Sequence, residues 1–87
     1  MSANNQTLIK EHEGKFYVFV DVNAEAWDEK RHELKASAAD AVTSNRDDAY
    51  ATALKLDAES GLYGEGTEYG IQFNRLCKDD TEVFIIP

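Results

Sequence analysis

The segment Lys15-Phe16-Tyr17-Val18-Phe19-Val20-Asp21-Val22 constrains this chain more than any other. Aromatic and β-branched side chains fit a pleated surface, so the run reads as a strand. Successive side chains of a strand point to opposite faces. Phe16, Val18, Val20 and Val22 are therefore expected on one face, with Tyr17 and Phe19 on the other. Both faces are apolar in a chain whose formal net charge is −8. The run Glu82-Val83-Phe84-Ile85-Ile86 has the same two-faced character. One layer of helices covers one side of a sheet, so the second side asks for a further cover, which points to a partner.

The neighbours of this run complete a hairpin. Thr7-Leu8-Ile9-Lys10-Glu11 reads as a short strand, and His12-Glu13-Gly14 as a tight reversal in which Gly14 is free to take positive φ. Residues 1–6 are polar and are expected to be disordered, leaving 7–87 as a single domain. At this size a fold buries about 60–65% of its unfolded surface. A hydrophobic content of 43% supplies a core without disulfides or metal.

The stretch from Ala24 to Val42 admits two readings. Ala24, Trp27, Leu34, Ala38, Ala41 and Val42 approximate a helical stripe in an alanine-rich segment, and this favours a helix. Alternatively, Arg31 to Ser37 is a polar edge strand with His32, Leu34 and Ala36 on one face. The next boundary is sharper. Thr43-Ser44-Asn45-Arg46-Asp47 has the form of a helix cap, with Asp47 and Asp48 in the first turn where the helix dipole favours negative charge. The spacing predicts a helix over 45–59, its apolar stripe drawn from Ala49, Tyr50, Ala53, Leu54 and Leu56, with Gly61 as a stop. A glycine-bearing loop leads to a strand over 68–74 with Tyr69, Ile71 and Phe73 inward, then a turn at 77–80 and a last strand over 81–86. The order β-β-α-α-β-β predicts an α+β fold: a two-layer sandwich with a mainly antiparallel sheet of about four strands and one or two helices.

Charge and motifs narrow the function classes. Asp and Glu outnumber Lys and Arg by 17 to 9, which disfavours direct binding to nucleic-acid phosphates or to an anionic membrane leaflet. No apolar run approaches the roughly 20 residues of a membrane span. Met1 to Gln6 lacks the blocks of a signal peptide, and the lone Cys77 fits a reducing compartment; cytoplasmic localisation is the expectation. The glycines of Gly64-Glu65-Gly66-Thr67-Glu68-Tyr69-Gly70 do not make a phosphate loop, because the spacing is one residue too long and two carboxylates stand where phosphates would sit. Asp21-Val22-Asn23-Ala24-Glu25 opens like a calcium loop but has Ala26 at the turn position and His32 at the closing one. His12, His32 and Cys77 do not form a zinc spacing, and no serine sits in a nucleophile elbow. No catalytic, cofactor or metal residues are assigned, and the chain reads as non-enzymatic.

The apolar faces carry the remaining signal. Tyr17, Phe19, Phe84 and Ile86 are the expected interaction patch, since a contiguous exposed apolar surface marks association. The leading expectation is a small acidic protein-interaction module of accessory or regulatory type, binding a protein partner or pairing as a homodimer through the second sheet face. A second is an acidic mimic of nucleic acid that inhibits a DNA- or RNA-handling protein, using Asp40, Asp47, Asp48, Asp57 and Glu59. A third is a small-ligand or enzymatic role for the loop Gly61 to Gly70 with Tyr63 and Tyr69.

Overall fold

The hairpin of β1 (Asn5–His12) and β2 (Lys15–Asn23) forms the centre of the molecule, seen in a computed structural model that describes residues 5–23, 33–60, 64–76 and 81–87. Its two-residue turn has positive φ at both central positions, 52° at Glu13 and 81° at Gly14. That geometry matches the right-handed twist of the flanking strands and sets His12 opposite Lys15. β1 begins at Asn5, so Asn5 and Gln6 belong to the sheet rather than to the disordered segment expected over 1–6, of which residues 1–4 lie outside the described residues.

A β-bulge revises the expected alternation along β2. Leu8 faces Phe19 and Gln6 faces Val22, two steps on β1 against three on β2. The extra residue is accommodated at Asp21, whose φ is 62°, and the Asn5 side-chain amide donates a hydrogen bond to its carboxylate. An extra residue inverts the facing of everything beyond it. Val22, expected beside Phe16, Val18 and Val20, instead packs with Leu8 and Phe19.

The four-stranded sheet has the order β4-β2-β1-β5, with β4 (Ala41–Thr43) antiparallel to β2 and β5 (Ile71–Phe73) parallel to β1. The fold is α+β, with one α-helix among the described residues, α1 (Arg46–Ala58), laid on one sheet face. Its N-cap is Asn45: Oδ1 accepts from the Asp48 N–H at 2.7 Å while Nδ2 donates to the Asp48 carboxylate at 2.8 Å. This is a reciprocal cap of the kind the sequence indicates. The helix buries Ala49 and Ala53 on Ile9 and Val18.

The other sheet face is covered by the chain itself. β3 (Glu33–Lys35) and β8 (Phe84–Ile86) pair in parallel and bring Leu34, Val83 and Ile85 onto Leu8, Phe19 and Val22. This corrects the helix favoured over Ala24 to Val42. Residues 24–32 lie outside the described residues, but 33–35 are strand, Ala36–Ala38 form one 3₁₀ turn, and Ala41–Thr43 are strand. Alanine favours helix weakly, and tertiary burial overrides it. Here Leu34 finds an apolar bed and Asp40 ties the segment to β2, its amide donating to the Val18 carbonyl and its carboxylate accepting from the Val20 N–H, both at 2.8 Å. The expected strand over 81–86 is broken at Val83 into β7 (Thr81–Glu82) and β8, and β7 pairs with β6 (Arg75–Leu76). Asn74, at φ 68°, turns the chain from β5 into β6. Its amide donates to the Ile9 carbonyl and its own carbonyl accepts from the Val83 N–H.

Asp57 locks the helix end to this framework. One carboxylate oxygen accepts from the hydroxyl of the buried Thr7 at 2.7 Å, from the Thr67 hydroxyl at 2.6 Å and from the Thr67 N–H at 3.2 Å. Replacing Asp57 by Ala is expected to cost about 1–3 kcal/mol, because the buried Thr7 hydroxyl loses its partner. Leu34→Ala is expected to cost about 2–5 kcal/mol if β3 is the cover of the second face. Urea titrations followed by circular dichroism measure both, and a Leu34→Ala change below 0.5 kcal/mol on that scale, roughly the level of a surface substitution, would deny β3 that role. At the bulge, Asp21→Ala is expected to be less stable than Asp21→Gly by about 1 kcal/mol, since only glycine takes positive φ without steric cost.

Candidate functional site

The four residues expected to form an interaction patch do not share one exposed surface. Phe19 is 3% exposed and lies beneath Leu34, Val83 and Ile85. Tyr17 is half-buried, flanked by its cross-strand partners Lys10 and Val42. Ile86 is half-buried in register with Lys35, and Phe84 is 53% exposed. Lys10 links what remains. Its ammonium lies 6.0 Å from the Phe84 ring centre and 3.4 Å from the Glu82 carboxylate, so Tyr17 and Phe84 flank one largely buried lysine.

A second surface, not identified from sequence, lies along α1. Arg46, Tyr50 and Leu54 recur every fourth residue, so they line one side of the helix. All three are exposed, Tyr50 by 43% and Leu54 by 49%. Arg46 and Tyr50 border the edge strand β5, where Phe73 joins the two elements. Tyr50 stacks on its ring with centroids 6.2 Å apart and planes 15° from parallel. The Arg46 guanidinium lies 4.2 Å from the centre of the same ring, within cation–π range. Among the described residues Arg46 makes no ion pair. Glu11, Phe16 and Asn74 complete a shallow cleft of about 100 Å³ at the Arg46 end.

The sequence placed Tyr50 and Leu54 in the buried stripe of this helix. Ala49, Tyr50, Ala53, Leu54 and Leu56 together span an arc of about 160° at 3.6 residues per turn. A single sheet face contacts less than that arc. The alanines let the helix lie close on Ile9 and Val18, and the larger Tyr50 and Leu54 are left at its flank. The usable signal was the pairing of small residues at 49 and 53 with large ones at 50 and 54.

The other candidates are dispersed. Of the five carboxylates considered as phosphate mimics, Asp57 turns inward to Thr7 and Thr67, Asp40 accepts from the Val20 N–H and Asp48 engages the cap. Asp47 and Glu59 are exposed. The part of the glycine loop within the described residues is strapped down: Gly66 N–H donates to Ser60, Tyr69 N–H to the Asn5 carbonyl and Glu68 N–H to the Asn5 side chain. Tyr63, Trp27, His32 and Cys77 lie outside the described residues. His12 packs edge-on to Tyr17 with ring centres 6.2 Å apart. Among the described residues no three His, Cys, Asp or Glu side chains converge as a metal site, and no helix is long and apolar enough to cross a membrane. No protein-family model, curated protein or solved structure matches the chain.

Exposed side chains tolerate truncation better than a core does. Tyr50→Ala and Leu54→Ala are each expected to change unfolding free energy by less than about 1 kcal/mol, well below the loss expected for Leu34→Ala. Thermal and urea unfolding of the three variants side by side tests this ranking.

Proposed function

We propose that this protein is a non-enzymatic interaction module that works by binding another protein, in the cytoplasm, through the α1 flank bearing Arg46, Tyr50 and Leu54. The observation that carries the reading is that arrangement itself. Tyrosine and arginine are the side chains most often responsible for binding energy at protein interfaces. Here both are held against one phenylalanine, and a leucine half exposed to water extends the strip. Holding the rings and guanidinium in place before contact reduces the ordering cost of association.

Self-association through the face of Tyr17 and Phe19 has lost most of its surface to β3 and β8, so the partner in this reading is a different protein. The formal charge of −8 adds a physical reason, because two copies repel each other while a basic partner is attracted. The reading as a mimic of nucleic acid finds less support, since three of its five carboxylates are engaged within the chain.

Affinity capture with the full chain and with a Tyr50→Ala/Leu54→Ala double variant tests the proposal. Proteins retained by the parent chain and lost with an equally stable double variant support it. Identical sets on both would move the binding surface elsewhere, and no specific protein on either would refute an interaction role.

A further inference from the structure

Resting on that reading, we infer that the α1 flank and the outer edge of β5, which ends the sheet among the described residues, form one groove, and that its occupant is an extended apolar and basic peptide segment of the partner, added to the sheet as a strand beside Ile71-Gln72-Phe73. The backbone pattern gives the first reason. Thr7 N–H donates to the Gly70 carbonyl and Asn74 N–H to the Ile9 carbonyl, each at 2.8 Å. Backbone groups of a strand alternate direction, so the Gly70 carbonyl, both groups of Gln72 and the Asn74 N–H turn toward β1. Ile71 and Phe73 turn theirs to the other side, where β5 ends the sheet among the described residues. An added strand meets two N–H donors and two C=O acceptors there.

Side chains supply the second reason. Ile71 and Phe73 face the helix and pack at the border of the Ile9–Val18 core. A strand paired beside them points alternate side chains to the same face, the side on which Tyr50 and Arg46 stand against Phe73. Edge strands are commonly guarded by proline or charge, and β5 has neither.

Charge selects the occupant. Glu65 and Glu68 lie in the segment leading into β5, while Glu11 lines the cleft at its far end and Asp47 follows Arg46 on the helix. Carboxylates outnumber the guanidiniums of Arg46 and Arg75 there by four to two, an acidic rim on a chain of net charge −8. Lysines or arginines flanking the apolar positions of the peptide complement that rim, whereas a second copy of this chain brings its own negative charge to it.

A random nonapeptide library displayed on phage and panned against the full chain provides the test. Enriched peptides are expected to alternate apolar residues with Lys or Arg. Added to labelled protein, they should shift the amide resonances of residues 71–73 and of Arg46, Tyr50 and Leu54, saturably and more weakly at high salt. N-methylation of the peptide amides that face β5 is expected to weaken binding by about tenfold, as is Tyr50→Ala at unchanged melting temperature. Enrichment of acidic peptides, or indifference to N-methylation, overturns the strand-addition proposal. Shifts that map to another surface overturn the groove but leave an interaction role standing. No enrichment, from a chain that still captures a folded partner through Tyr50 and Leu54, refutes the peptide alone.

Discussion

Everything in this molecule follows from a hairpin that is apolar on both sides. Leu8 and Ile9 are adjacent in β1 and both fully buried, one on each face of the sheet. Burying a large aliphatic side chain stabilises by about 1.5–3 kcal/mol, and leaving either face in water forfeits several such contributions. The rest of the chain is arranged to prevent that. The helix takes the face of Ile9 and Val18, and the strand pair β3–β8 takes the face of Leu8, Phe19 and Val22.

Two residues in left-handed backbone adjust the framework to those two covers. Asp21 bulges β2 and moves Val22 to the side where Leu34, Val83 and Ile85 collect. Asn74 ends β5 and sends the chain across to β6, from which it returns as β7 and β8. Asp57 then fixes the helix end to Thr7 and to the loop before β5, so the position of α1 over the sheet is set by hydrogen bonds as well as by packing. That position leaves Arg46 and Tyr50 beside β5, with Leu54 further along the same exposed flank. The exposed strip on α1 is thus a consequence of how the core is covered: alanines inward bring the helix close, and the large residues next to them stay in water.

The local elements were legible because their signals are local. Glu13-Gly14 makes the hairpin turn, and Asn45 with Asp48 makes the cap, each through residues within a few positions of one another. The stretch from Glu33 to Thr43 was less legible because its alanines state a weak preference that distant residues overrule. Leu34 is a strand residue since Ile85, 51 positions later, lies beside it in register. The exposed strip on α1 was hidden for a similar reason. Tyr50 and Leu54 look like core residues in a list of apolar positions, and only the placement of Ala49 and Ala53 on the sheet shows that they are not.

By itself, the sequence determined the two-faced hairpin, the capped helix, the α+β class and the acidic surface, because period-two patterning, capping chemistry and net charge are all read over short windows. Tertiary structure decided that β3 and β8, rather than a second helix, close the second face. It also decided that Val22 changes sides, and that Arg46, Tyr50 and Phe73 meet. Each of these depends on pairings between residues roughly 10 to 50 positions apart, where many partners are compatible with the same local pattern and burial selects among them.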